Sequence, residues 1–265
     1  MIIYDEDNAT YHANTAIGSG DARAFLKSPQ LFKDRQEGVV VTKESPAMRF
    51  GTLSHLAILE PERFKSVVVK PEGHDGRTTA GKAWVAANEG KQTMSEAEAA
   101  QLFHMQDRMP ADIRAMLTSG KSEVTFRCGM PDLPVQCRAD HWCEEANALY
   151  DLKTISDIEK IDHAIWDHGY HIQLAWYLAI IRAVTDEAHT AKLCFVETQA
   201  PYRWRCVTLS DDYLALGDME VRRAVAGIQS RNQSGDWSDP APTSIIAKPP
   251  GWATPSTTTG LIAKG

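Results

Sequence analysis

The stretch that decides the fold is Val135-Gln-Cys-Arg-Ala-Asp140-His-Trp-Cys143, followed by Glu144-Glu-Ala-Asn147 and then Ala148-Leu-Tyr-Asp151-Leu-Lys153-Thr154. Both arms carry the β-branched and aromatic residues of strands, and the polar segment between them reads as a turn. An antiparallel hairpin closed by that turn pairs Cys143 with Ala148. Stepping outward, it brings Asp140 opposite Asp151, with Lys153 two residues on and therefore on the same face as Asp151. Two carboxylates directly opposite repel each other in a sheet, and a bound cation would remove that cost. Paired acids beside an ammonium suit metal-assisted hydrolysis of a phosphate ester. The competing reading is two solvated aspartates on an exposed strand, and a register slip of one residue would undo the facial argument.

Outward from the hairpin, Glu123–Cys128 alternates like a strand, as do Lys192–Glu197 and Trp204–Leu209. Residues 158–184 read as mostly helical, and 211–230 as an amphipathic helix. The N-terminal 120 residues read as mainly helical. One helix is expected from Ser19, as N-cap, through Phe32; another, Phe50–Leu59, lies within 46–59, and two more lie near 81–89 and 95–118, the last opened by a capping box at Ser95 and Glu98. A short strand is expected at 67–70. The order β-β-β-α-β-β-α predicts an α/β (α+β) fold with a central mixed sheet flanked by helices and preceded by a helical region. Residues 1–235 form one expected domain, with 121–235 its sheet core, and the Ser-, Pro- and Thr-rich stretch 236–265 an extended or partly disordered tail.

At 265 residues the chain can bury a substantial core without staples. No apolar run reaches the length of a membrane span. Five cysteines without a C-x-x-C argue against a secreted disulfide scaffold and against zinc, and point to a reducing cytoplasm. Cys137 and Cys143 are expected to share the strand face opposite Asp140. The net charge of −7 weighs against broad nucleic-acid binding, although a basic channel can lie inside an acidic shell.

Further candidates flank the hairpin. Gln173 and Tyr177 are four apart in a predicted helix and share a face, where a core role competes with a site role. His55 lies in an apolar helix, where a hydrogen-bonded core histidine is the commoner case. Glu123 opens its strand, either as a metal ligand or as an exposed end. Gly76-Arg-Thr-Thr-Ala-Gly81-Lys82-Ala83 approaches a phosphate-binding loop but has Ala83 where a Mg²⁺-holding hydroxyl is required. His163, His168 and His171 cluster without a shared face.

Asp140 with Asp151-Leu152-Lys153 resembles the signature of the PD-(D/E)XK nuclease superfamily, with Ala139 in place of the frequent proline. Gly51-x-x-x-His55 upstream and Gln173-x-x-x-Tyr177 downstream resemble the motifs of its RecB-type branch. Together with Ser19…Leu26-Lys-Ser28-Pro29 and Arg77-Thr-x-x-Gly81-Lys82, residues 1 to about 235 resemble the nuclease domain of the exonuclease VIII (RecE-type) family and, more distantly, lambda exonuclease. The resemblance implies a restriction-endonuclease-like core and a cytoplasmic, bacterial or phage-encoded, Mg²⁺-dependent exodeoxyribonuclease. Such an enzyme degrades linear duplex DNA processively from 5′ ends, leaving 3′ overhangs for a single-strand annealing protein in recombination and repair.

The resemblance also implies a homo-oligomeric ring, with a tetramer favoured over a trimer. It implies two Mg²⁺ ions, replaceable by Mn²⁺, held by His55, Asp140, Asp151 and the Leu152 carbonyl, with Glu123 as a further candidate. Asp140, Asp151, Lys153, Gln173 and Tyr177 would be catalytic. Lys153 would position or deprotonate water, Gln173 would orient the water or Lys153, and Tyr177 would buttress Gln173 or touch DNA. Arg23, Arg49, Arg77 and Lys82 are the expected DNA-binding cations. A structure-specific or restriction-type endonuclease, and an inactive DNA-binding scaffold, are the alternatives.

Overall fold

A computed structural model describes residues 1–41, 43–130 and 133–240. In chain order the first half holds β1 (Ile2–Ile3), α1 (Asn8–Ala13), α2 (Ser19–Lys27), α3 (Pro29–Gln36), α4 (Pro46–Leu59), α5 (Pro61–Phe64), β2 (Val68–Lys70), α6 (Thr79–Ala87), β3 (Thr93–Ser95), α7 (Glu96–Asp107) and α8 (Ala111–Thr118). The second half holds β4 (Lys121–Met130), β5 (Leu133–Cys143), β6 (Ala148–Ile155), a 3₁₀ turn at Ile158–Lys160, α9 (Ile161–Asp167), α10 (Tyr170–Thr185), β7 (Thr190–Glu197), β8 (Trp204–Thr208) and α11 (Asp211–Ser234). Six strands form one mixed sheet in the order β1-β4-β5-β6-β7-β8. Only β6 and β7 are parallel within it, and α9 and α10 supply their crossover. The expected α/β class and the mixed sheet flanked by helices are both present. The tail expected over 236–265 lies, from 241 onward, outside the described residues.

Local chemistry sets several boundaries differently from the sequence expectation. The helix expected over 19–32 is two helices. Ser28 ends α2 in an extended conformation, then caps α3 by accepting the Leu31 N–H at 2.9 Å, with Pro29 pre-set for the first turn. The N-cap of α2 is Gly18, not Ser19, and its N–H is held by Asp21 at 2.9 Å. The stretch 95–118 also divides, at Pro110, which cannot continue a helix. The capping box at Ser95 and Glu98 forms as expected. Strands β1 and β3 had no signal in the sequence: one is two residues long and the other three.

The sheet divides two apolar layers. On one face α2, α3, α9, α10 and α11 bury Val124, Phe126, Val135, Leu149, Leu193 and Phe195. On the other, α4, α7 and α8 pack on Cys143, Ala148, Tyr150, Leu152, Cys194 and Val196. Strand alternation places side chains on opposite faces in turn, yet in β5 Cys137, Ala139 and Trp142 all belong to the first layer while Cys143 belongs to the second. The alternation therefore slips by one between Ala139 and Trp142. Cys137 and Cys143 are both buried, as expected of core residues, but on opposite faces. Strand β4 slips at the same level. The Ser122 hydroxyl reaches the Leu59 carbonyl of α4 at 2.8 Å, whereas Val124, two residues on, faces α10. Glu123 lies between them in the left-handed region (φ 54°), a conformation that costs a non-glycine residue roughly 1–3 kcal/mol.

Helix α11 clamps α10, which carries two of the candidate site residues. The contact is close because Gly217 has no side chain: a Cβ there would lie 2.4 Å from the His171 carbonyl oxygen and 2.9 Å from the Ala175 methyl. Backbone cannot yield cheaply, so Gly217→Ala is expected to lose about 1–3 kcal/mol of stability, read as a lowered urea midpoint at unchanged slope.

Candidate metal centre

The β5–β6 hairpin has the expected register, with Cys143↔Ala148, Trp142↔Leu149 and His141↔Tyr150 paired around the 144–147 turn. The ladder then stops one pair short of Asp140 and Asp151. Beyond that point β6 continues alongside β7 as far as Ile155, and β5 continues alongside β4, so the two strands part. Asp140 fills the fork: its Oδ2 accepts the Leu152 N–H at 2.8 Å, in place of a backbone carbonyl. The β4–β5 ladder skips the same level, pairing Ser122 with His141 and Val124 with Ala139 but leaving out Glu123 and Asp140. Glu123, Asp140 and Asp151 thus occupy one row across three neighbouring strands, at the position where both ladders are interrupted.

The acids do not all turn the same way. His55, Glu123 and Asp140 each offer a ligand atom, all within 4.8 Å of one another. Asp151 faces the α10 layer instead. Its Oδ1 accepts from Gln173 Nε2 at 3.0 Å, and its Oδ2 pairs with the Lys153 ammonium. The same Gln173 nitrogen donates to the Tyr177 hydroxyl at 3.1 Å. Gln173 therefore fixes Asp151 rather than Lys153, and the buried Tyr177 buttresses Gln173. The expected contact of Tyr177 with a DNA backbone does not fit that burial.

His55 projects from α4. Its Nε2 lies 2.9 Å from the Leu152 carbonyl oxygen, and its Nδ1 lies 3.6 Å from Asp140 Oδ2. A carbonyl oxygen only accepts, so Nε2 carries a hydrogen, and Nδ1 is the ring atom turned toward the Asp140 carboxylate. An imidazole nitrogen and a carboxylate oxygen at that distance, with the second carboxylate, Glu123, beside them, form a donor set that fits a divalent cation. Carboxylate oxygens suit Mg²⁺, and one imidazole extends the match to Mn²⁺. The Leu152 carbonyl, an expected ligand, is engaged by His55 in this arrangement.

The electrostatics follow from burial. Desolvation, with Asp140 and Glu60 nearby, pushes the Glu123 carboxyl up to about 8 against the opposing pull of Arg138. Desolvation also raises Asp151, to about 6, although Lys153 opposes it. Burial disfavours the Lys153 ammonium, but Asp151 and Asp140 outweigh that and hold it above the usual lysine range. Arg138 sits 3.7 Å from Glu123 and 3.5 Å from Glu6. Glu6 in turn takes a two-pronged contact from Arg127 at 2.8 and 3.0 Å. Arg138 is nearly buried, stacks on the Tyr11 ring at 4.0 Å and donates to Thr125. Nothing in the spacing of the sequence pointed to Arg138 or Glu6; residues so far apart meet only because β1 and α1 return to the sheet.

The four expected DNA-binding cations are placed differently from one another. Arg49 pairs with Glu98 and donates to the Thr93 carbonyl at 3.1 Å, a structural tie between α4 and α7. Arg77 is taken up by Asp75 within its own loop, and Lys82 is exposed on α6. Arg23 donates to the His168 carbonyl. The glycine-rich loop owes Gly81 to packing, since a Cβ would lie 1.9 Å from the Asp75 carbonyl oxygen. His171 is buried between two rings rather than surface-facing.

Comparison with known proteins agrees with this architecture. The crystal structure of a protein described as "Putative exonuclease" from Eubacterium rectale superposes with a TM-score of 0.67 at 15% identity, covering 97% of this chain and 99% of that one. The structure of SSO0001 aligns over 73% of this chain and 82% of its own at 13% identity, with a TM-score of 0.30, below the level of a shared fold. No curated protein matches the sequence. Among the described residues no helix is long and apolar enough to cross a membrane. The family model described as "PDDEXK-like domain of unknown function (DUF3799)" matches residues 19–243, and the chain belongs to that PDDEXK-like family.

Proposed function

We propose that the protein is a divalent-metal-dependent nuclease that acts on DNA, and specifically an exodeoxyribonuclease that degrades linear duplexes processively from 5′ ends, leaving 3′ strands for an annealing partner. The observation that carries the hydrolytic reading is the row Glu123, Asp140 and Asp151 at the strand fork, with His55 on one side and Lys153 on the other. The exonuclease reading draws on the motif resemblance and on the description of the Eubacterium rectale protein. A homo-tetrameric ring, or a trimeric one, would give processivity a topological cause. It would also reconcile the net charge of −7 with DNA binding.

Asp140, Glu123 and His55 Nδ1 would hold the cation, with Asp151 close behind. Bound there, a divalent ion would offset negative charge at the scissile phosphate and lower the pKa of an attacking water. Lys153, kept as an ammonium by Asp151 and Asp140, would orient that water and the phosphate rather than remove a proton. Gln173 would keep the Asp151 carboxylate turned toward Lys153, and Tyr177 would lock Gln173.

Asp140→Asn preserves shape and removes charge, and Lys153→Ala removes the ammonium. Each is expected to lower Mg²⁺-dependent cleavage by at least ~10³-fold with far-UV circular dichroism unchanged. Near-normal cleavage by either variant would exclude these roles. End-labelled linear duplex, labelled at 5′ or 3′, set against closed circular DNA separates the readings: an exonuclease of 5′ polarity releases 5′ label first and spares circles, whereas a restriction-type enzyme cuts circles.

A titration follows from Glu123. Its folded value, about 8, lies above its ordinary 4.5, so its contribution to stability is complete below 4.5 and is lost as pH rises through about 8. Metal-free protein should therefore melt lower at pH 8.5 than at pH 6.5, and Mg²⁺ should narrow the difference. Because the ligand must ionise to bind, calorimetry at pH 7 in two buffers of different ionisation heat should show roughly one proton released per ion bound. Glu123→Gln should abolish that release.

A further inference from the structure

Beside the metal centre a cleft of about 830 Å³ opens between α2, α3, α9, α10 and α11. Its wall includes Gly169, and the next residue, Tyr170, lays its ring 5.1 Å from the Lys153 ammonium. Through Gly169 and Tyr170 the cleft therefore reaches toward Lys153, and it shares no ligand with the metal centre. Four cations line it, Arg23, Lys27, Arg35 and Arg223, against two acids, Asp167 and Glu220. Arg23 is tied to the His168 carbonyl and Arg223 to Glu220 at 2.9 Å. Lys27 and Arg35 are exposed, and neither side chain has a partner among the described residues.

Trp166 stands at the same cleft with 58% of its surface exposed. One face is partly covered: it stacks, offset, on the buried His171 with centroids 5.3 Å apart and planes within 8°, and His171 stacks in the same way on Tyr213 at 5.3 Å and 6°. The three parallel rings run through α9, α10 and α11 and fix the plane of the indole. A large aromatic surface held rigid and left open carries an apolar cost in water, and it is already ordered for a flat partner. Planar π-faces interleaved with unpaired cations are the chemistry of single-stranded nucleic acid, whose bases stack while its phosphates pair. Duplex DNA, with its bases stacked on one another, offers such a face only at its ends.

We propose that this cleft binds single-stranded DNA, with Trp166 as the stacking platform for a base and Lys27 and Arg35 as phosphate contacts. The inference rests on the nuclease reading for its choice of DNA, and gives that enzyme a track for one separated strand beside the metal centre.

The test uses the full chain in EDTA, so that nothing is cut. Two fluorescein-labelled probes are titrated by anisotropy: an oligothymidylate of about 12 nucleotides, and a sugar-phosphate strand of the same length with no bases. Trp166→Ala should weaken oligothymidylate binding roughly tenfold and leave the baseless strand unaffected, and Trp166→Phe should restore most of the loss. The double variant Lys27→Ala/Arg35→Ala should weaken both probes and reduce the slope of log affinity against log salt by about 1.4. Unchanged oligothymidylate binding by Trp166→Ala, or an equal loss on both probes, overturns the platform. Failure of the wild type to bind the oligonucleotide overturns the cleft. Duplex cleavage in Mg²⁺, measured separately, keeps the two ideas apart: cleavage without oligonucleotide binding removes this inference alone, and oligonucleotide binding without cleavage removes the nuclease reading alone.

Discussion

The hydrogen bond from the Leu152 N–H to the Asp140 carboxylate is the contact on which the rest of the structure depends. Sheet ladders satisfy backbone donors with backbone acceptors. Where β5 and β6 part, that rule fails for one donor, and a side chain takes the place of the strand. This lets the sheet open without leaving a buried N–H unpaired, and it also fixes one oxygen of the carboxylate. Leu152 is held on its other side too, its carbonyl turned to His55 Nε2. One residue of β6 thus sets the distance between the imidazole of α4 and the acid of β5. His55 Nδ1 and Asp140 Oδ2 are thereby left facing each other, two ligand atoms that a divalent cation would hold together.

Much of this was legible in the sequence because it rests on short-range rules. The turn at Glu144–Asn147 set the register, and the register placed Asp140 and Asp151 at one level. The four-residue spacing of Gln173 and Tyr177 put them on one helix face, where they share a hydrogen bond. Expecting the two aspartates to look the same way was an extrapolation of strict alternation, and alternation fails there. The left-handed backbone at Glu123 and the matching slip in β5 exchange the faces of everything beyond, which is also why Cys137 and Cys143 separate. No residue type marks such a slip. Glutamate is not a left-handed residue by preference, and it adopts that conformation only because its surroundings require it.

The cations show the opposite limit. Charge in a sequence says nothing about whether a partner waits in three dimensions. Arg49 looked available for DNA and is committed to Glu98, whereas Lys27 and Arg35, unremarkable in the sequence, flank an open cleft. The ring stack of Trp166, His171 and Tyr213 was equally hidden, since its members lie on three helices with no common period.

The chain of charges from Glu6 through Arg138 to Glu123 has a mechanical meaning as well. A two-residue edge strand such as β1 is ordinarily the first part of a sheet to fray. Here the segment that follows it supplies the counter-charge to an arginine that also faces Glu123, an acid held in the left-handed region. If β1 peels from β4 and takes Glu6 with it, Glu123 is the carboxylate partner left to Arg138 among the described residues. The weakest border of the sheet and its most demanding interior site are in this sense one tensioned element, and slackness at the edge is felt at the centre.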